Sequence, residues 1–250
     1  MVDIDLGHLP SQQEEMWHLL FDFAERMSGS WTIVGGQMVY LHCVERGADM
    51  GRTTSDVDAL LDVRTDSRMF SRADAVLRHQ MGFESSPGIG GVQHRWTKGV
   101  VQFDVLIPEV SRGIAESAVS ATGGVAVQSP GANQALARSE PLTVKAGERT
   151  GTVFRPSLQA AIISKAAAYS VPSDFRKMRH LRDIAILLGV ARGDDRLYDD
   201  LSLSDLRHLR KLSALLADGK HDAQRDLNEQ SMLRIESFLD VALSLDPKPK

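Results

Sequence analysis

The chain has 250 residues, a formal net charge of −4, one cysteine and 42% hydrophobic residues. That length buries a core without staples, and the lone Cys43 excludes an intrachain disulfide. The mildly acidic balance argues against a protein that coats nucleic acid, and no apolar run approaches the roughly 20 residues that span a bilayer.

Met1 to Asp5 shows neither a basic stretch nor an apolar one of the kind that directs secretion, so the expectation is a cytoplasmic protein with no membrane partner. Ser11-Gln12-Gln13-Glu14 reads as a capping box opening a helix, with Met16, Leu19, Leu20, Phe23 and Met27 on one face. Trp31 to Val34 is an apolar, β-branched strand that stops at Gly35-Gly36, and helical character resumes over Met38 to Leu41. Val57 to Val63 reads as a second strand. Asp66-Ser67 can cap a helix through Met69, Phe70, Ala73, Val76 and Leu77. Ser85 to Gly91 is a loop, because it lacks the Gly-Lys-Ser/Thr ending of a phosphate-binding P-loop. Gly91 to Gly99 and the apolar run Val100 to Ile107 form a hairpin turning at Lys98-Gly99. Residues 109 to 156 are small, polar and glycine-rich, with a short helix expected near Gln134 and a strand pair, Pro141 to Lys145 with Thr152 to Arg155. From Ser157 the pattern is helical. Ser202 or Ser204 can cap Leu206 to Ala217, and Asp222 to Leu245 reads as one long last helix with Leu227, Ile235, Leu239 and Ala242 inward.

Chemistry concentrates at three acids. Asp56 and Asp58 are two residues apart at the start of a strand, so their carboxylates share a face. Such a pair suits Mg²⁺ (or Mn²⁺), a hard cation that takes oxygen ligands and bridges to substrate phosphates. Asp104 stands alone in the middle of an apolar strand, where an acid is costly unless paired or bound to a cation, and it is the candidate third ligand. Asp62 has the same strand parity but lies at the far end, and reads as a solvated acid. Gly35 and Gly36 allow backbone to approach a phosphate closely at a helix start, where N–H groups favour an anion.

These residues, Val34-Gly35-Gly36, a helix, Arg52-x-Thr54-x-Asp56-x-Asp58 and the later Asp104, resemble the nucleotidyltransferase fold of the DNA polymerase β type. The pattern looks most like the AbiEii-like bacterial nucleotidyltransferases, many of which are toxins of toxin–antitoxin pairs. A helix carrying Lys165 and a basic run ending in Arg182-Asp183 before an apolar stretch extend the resemblance over about residues 15 to 190. The resemblance implies an α+β fold, a mixed sheet flanked by helices with a C-terminal helical region. It implies a nucleotidyltransferase core over 1–115, a linking segment with a short helix and strand pair over 116–156, and a helical region completing the cleft over 157–250. It also implies that Gly35, Gly36, Arg52, Thr54, Lys165 and Arg182 bind the nucleoside triphosphate, that Asp56, Asp58 and Asp104 bind metal, and that Asp104 activates the acceptor hydroxyl. Two departures are Gln37, where relatives often place Ser or Thr, and a long insert around Glu45 to Gly51.

Arg176, Lys177, Arg179, His180 and Arg182 form a dense basic run, which suits contact with a polyanion but is also the composition of an ordinary solvated helix face. His42 and His94 sit among apolar or strand residues and read as structural, as does Cys43. The expected activity is transfer of a nucleoside monophosphate from a triphosphate to an acceptor hydroxyl, with the resemblance pointing to RNA, a transfer-RNA 3′ end, in a toxin role with a cognate antitoxin. A small molecule of aminoglycoside type or a protein side chain would use the same carboxylates. A nucleotide- or partner-binding module without turnover is the reading from another class, motivated by Gln37 and the insert.

Overall fold

The computed structural model describes residues 2–50, 56–86, 89–218, 223 and 225–245. They form two compact units, Met1–Pro156 and Ser157–Lys250. The fold is α+β.

In the first unit a short strand β1 (Ile4–Asp5) precedes helix α1 (Ser11–Arg26), strand β2 (Trp31–Val34) and helix α2 (Gly35–Glu45). Strand β3 (Asp56–Leu61) leads to α3 (Met69–Ala75), whose last turn widens into a π-helical turn over Val76–Gln80. Strands β4 (Glu84–Ser86), β5 (Val92–Gln93), β6 (Arg95–Lys98) and β7 (Val101–Pro108) follow, then α4 (Arg112–Ser117), β8 (Val125–Ser129), α5 (Ala132–Ala137) and the hairpin β9 (Ser139–Ala146) and β10 (Arg149–Pro156). The main sheet runs β2-β3-β7-β6-β4. Strand β7 pairs β3 in parallel, and it pairs β6 antiparallel along its first half and β8 in parallel along its last three residues. A second sheet, β1-β9-β10, joins the N-terminal strand to the hairpin of the small, polar segment 109–156. Residues 116–156 thus supply strands to both sheets of the first unit.

Apolar parity drives this arrangement. Strand β7 buries Val101, Phe103, Val105 and Ile107, every second residue, and β3 buries Val57, Ala59 and Leu61. Helix α1 lays Met16, Leu20 and Phe23 on that surface, where the Phe23 ring lies 5.3 Å from Trp31 and 4.7 Å from Phe103, centroid to centroid. Each aromatic removes 150–250 Å² of surface from water by general experience, so this trio anchors the layer.

Several local expectations are revised. Helix α1 is capped by Pro10 with no side-chain hydrogen bond, so Ser11 is its first helical residue and no capping box forms. Proline fixes φ near the value a helix entry needs, and here it sets the start in place of Ser11. Asp62 is buried: Arg64 donates to both of its carboxylate oxygens from Nε and Nη2 at 2.7 Å, and that guanidinium holds its carboxyl below the usual range.

The second unit comprises α6 (Leu158–Tyr169), α7 (Met178–Val190), α8 (Leu203–Asp218) and α9 (Glu229–Ser244). Ser157 caps α6 by accepting from the Ala160 N–H. Ser202 and Asp205 form a reciprocal capping box at α8: the Asp205 N–H donates to Ser202 Oγ at 3.2 Å, and the Ser202 N–H donates to Asp205 Oδ2 at 2.8 Å. The last helix begins at Glu229, where Asn228 takes the cap, its Oδ1 accepting from the Ser231 N–H at 2.9 Å, and the expected start at Asp222 lies outside the described residues. No helix of the described residues is long and apolar enough to cross a membrane.

Candidate functional site

The three acids of the first unit are brought together by strand register. Asp58 and Asp104 are direct partners across the parallel pair β3–β7, and Asp56 is partnered with Gln102 one row below. Directly paired residues project to the same face of a sheet, about 5 Å apart. On the other flank of β3, Val34 is the partner of Asp58, so the β2–α2 turn opens beside that carboxylate.

Gly35 makes this closeness possible. Its φ is +66°, and a Cβ built on it would stand 1.7 Å from Asp58 Oδ2. The first residue of α2 is therefore a cradle that only glycine leaves open for the carboxylate. Gly36 follows within the helix and is buried. Gln37, at the position where Ser or Thr was expected by resemblance, is also buried.

Two like charges facing each other across a strand pair repel unless something neutralises them. Arg95 does so. It is the antiparallel partner of Asp104 on β6, donating from Nε to Oδ1 at 2.9 Å and from Nη2 to Oδ2 at 2.8 Å. Gln102 Nε2 adds a third donor to Oδ2 at 3.1 Å. The Arg95 guanidinium is held above its ordinary pKa, first by the hydrogen bonds to Asp104 and then by the charges of Asp104, Asp56 and Asp58. Across three adjacent strands the order is thus cation, carboxylate, carboxylate: Arg95, Asp104, Asp58. Sequence reasoning passed over Arg95, although the hairpin register carries it: with Lys98 facing Val101, three steps outward bring Arg95 to Asp104.

Asp104 is 8% exposed and has both oxygens on Arg95. Among the described residues no three His, Cys, Asp or Glu side chains stand as a ready metal cage. The donor set nevertheless suits a hard divalent cation in kind: carboxylates on neighbouring strands, and a glycine cradle that leaves one of them room at a helix start. Asp104 joins such a set only by leaving the Arg95 fork.

Arg52 and Thr54 lie outside the described residues. Lys165 and Arg182 belong to the second unit. Lys165 is buried, its Nζ donating to Asp183 Oδ2 at 2.6 Å. Arg182 is half-exposed and paired with Asp226 Oδ1 at 2.8 Å. The basic run is divided in use. Lys177 lies 5.4 Å over the Tyr169 ring, Arg179 and His180 both bond Asp174, and Arg176 is exposed beside Phe175, which is fully exposed. Burial, with the positive charge of Lys165, pushes the His180 imidazole down to about 4, so it is neutral near pH 7.

His42, His94 and Cys43 stand at structural positions. His42 is buried on α2 with Nε2 3.1 Å from the Pro156 carbonyl, and burial holds its pKa well below the ordinary value. The His94 carbonyl accepts from the Val105 N–H at 2.7 Å, tying β6 to β7 beside the acids. Cys43 is buried in α2. A buried acid that sequence reading overlooked is Asp74, which takes the Trp96 indole N–H at 2.9 Å and the Ala121 N–H at 2.7 Å and so fixes β6 from below.

Neither a family model nor a curated protein sequence matches the chain. Among solved structures it is similar to an antigenic nucleotidyltransferase-like protein from Paracoccidioides brasiliensis, at 15% identity and a TM-score of 0.50, over 86% of this chain and 94% of that one. That likeness assigns the chain a nucleotidyltransferase-like fold.

Proposed function

We propose that the chain transfers a nucleoside monophosphate from a nucleoside triphosphate to an acceptor hydroxyl. The observation that carries this reading is the pairing of Asp58 with Asp104 beside the Gly35 cradle, within a nucleotidyltransferase-like fold. Asp56, Asp58 and Asp104 would hold magnesium. Bound there, the ion would neutralise charge on the triphosphate and favour ionisation of the attacking hydroxyl. The chain's own part is positioning, which dominates phosphoryl transfer. The first N–H groups of α2, past Gly35, would take triphosphate oxygens at the helix start. Asp104, out of the Arg95 fork, would accept the acceptor's proton on a carboxylate oxygen. The acceptor oxygen bonds to the α-phosphorus, the bridge to the β-phosphate breaks, and pyrophosphate carries off that electron pair.

RNA is the acceptor class we favour. Phe175 and Arg176 stand exposed together in the basic run, the pairing of aromatic face and cation on which unpaired bases stack. A transfer-RNA 3′ end, and a toxin role with a cognate antitoxin, are the finer form of this proposal. Lys165 and Arg182 enter it as phosphate contacts, each having first to leave its carboxylate partner. The Arg95 fork favours one other reading, a nucleotide-binding module without turnover, because it occupies both oxygens of Asp104.

The test incubates wild type and Asp58→Asn with each α-³²P-labelled triphosphate, Mg²⁺, and total cellular RNA and protein. Label on RNA with wild type alone supports the proposal. Label on protein alone replaces the acceptor. Absence of label and of released pyrophosphate, with triphosphate still bound, leaves the binding module.

A further inference from the structure

We infer that Arg95 is the resident counter-cation of the acid row, so that a divalent ion enters this site by displacing Arg95 from Asp104. The inference rests on the transferase reading for the identity of the ion, and on the sheet for everything else.

Three observations converge. The strand register places Asp58 beside Asp104, and Asp104 beside Arg95, on one face of three adjacent strands. Carboxylates so placed repel in the absence of a cation. Arg95 meets Asp104 with a planar two-point fork, the geometry in which an arginine–carboxylate pair is strongest. Finally, its backbone is fixed while its side chain is not. The buried Gln93 donates from Nε2 to the Arg95 carbonyl at 2.7 Å, and the Arg95 side chain is 38% exposed, so the guanidinium can swing to solvent without disturbing β6.

An ion that binds Asp104 competes with the guanidinium for the same two oxygens, one of which also accepts from Gln102 Nε2. An ion that takes the lone pairs now held by the fork expels the guanidinium. Arg95 lowers the affinity for the ion and keeps Asp104 paired until the ion arrives. Arg95 is a positioning residue in this scheme, acting through Asp104.

The experiment titrates nucleotide-free protein with Mn²⁺ and reads free ion by electron paramagnetic resonance. Wild type, Arg95→Gln, Arg95→Lys and the double variant Arg95→Gln/Asp58→Asn are compared. The glutamine variant is expected to bind Mn²⁺ at least tenfold more tightly than wild type, the lysine variant to fall between, and the double variant to lose the gain. Lysine retains charge and stem, so its result stands if the glutamine variant folds poorly. In parallel, the Arg95 Nε–H resonance, identified by its loss in Arg95→Lys, should shift on addition of Mg²⁺ to wild type. Equal affinity of wild type and the Arg95 variants overturns the role of Arg95 and leaves the metal reading intact. Failure of wild type and Arg95 variants alike to bind Mn²⁺ overturns both.

Discussion

Gly35 and Asp58 occupy what is sterically one position: the space a Cβ on Gly35 would need lies 1.7 Å from the Asp58 Oδ2 atom. The glycine is at φ +66°, so a side chain there meets backbone strain as well as collision. Gly35→Ala should cost about 2–4 kcal/mol, combining the left-handed conformation with displacement of a carboxylate. Thermal unfolding of Gly35→Ala and of Gly47→Ala separates the two terms, because Gly47 has the same φ of +66° and nothing within 4 Å of its Cβ position. Equal losses in the two variants would refute the steric argument. Triphosphate binding should fall in Gly35→Ala alone.

Asp74 anchors β6, the strand that carries Arg95. It is fully buried and accepts the Trp96 indole N–H and the Ala121 N–H, with Arg78 at 3.6 Å. Removing it leaves the buried Trp96 indole N–H unsatisfied and frees the part-buried Ala121 N–H, at a cost of about 1–3 kcal/mol. Trp96 adjoins Arg95 on β6, so Asp74→Ala should also loosen the Arg95 fork. Denaturant unfolding gives the first effect, and the Arg95 Nε–H resonance gives the second. Asp74→Asn keeps an acceptor for one donor and should fall between. Unchanged stability in Asp74→Ala would contradict the burial and bonding described.

What the sequence made legible follows the physics of each signal. Alternation in Val101 to Ile107 exposes a strand with one misplaced acid, and the Asp56–Asp58 spacing places two carboxylates on one face. Their union with Asp104 depends on a parallel pairing between segments more than forty residues apart, which no local pattern encodes. The cost of an acid in an apolar strand nominated Asp104, and the resemblance agreed. Arg95 was within reach, because hairpin register follows from the turn, but an arginine in a polar strand reads as a solvated one. The resemblance implies an inward Lys165, and its partner Asp183 is separated from it by the last turn of α6, a loop and about a turn and a half of α7. Asp62 read as solvated because strand parity says nothing of Arg64 folding back two residues later. The Ser11 box failed because Pro10 competes for the same helix start.

The pH dependence of stability has a definite sign. His42 and His180 have folded-state pKa values depressed by burial, the latter to about 4. Unfolded, both titrate near 6.5, so below that pH the unfolded chain binds more protons than the folded one. The contribution of His180 is complete above pH 6.5 and is lost progressively as pH falls from 6.5 toward 4, and that of His42 has the same sign. Thermal midpoints should therefore drop between pH 7 and pH 5, and His180→Asn should flatten part of that slope. A slope identical in wild type and His180→Asn would show that the imidazole stays accessible to protons in the fold.

The Lys165–Asp183 pair separates a structural role from a ligand role. Both side chains are buried, and each is the other's charge partner at 2.6 Å. Breaking such a pair from one side strands a buried charge, so Lys165→Met or Asp183→Leu alone should lose about 3–5 kcal/mol. The double variant Lys165→Met/Asp183→Leu removes both charges together and should recover most of that loss, since well-packed apolar replacements of a buried pair are often neutral. Chemical denaturation of the four proteins closes the double-mutant cycle. The folded double variant then reports on the ligand role with stability restored. If Lys165 also holds a triphosphate oxygen, nucleotide affinity falls by tenfold or more in the double variant despite its recovered fold. If affinity returns with stability, Lys165 serves only to hold α6 to α7, and phosphate contact passes to other cations of the chain.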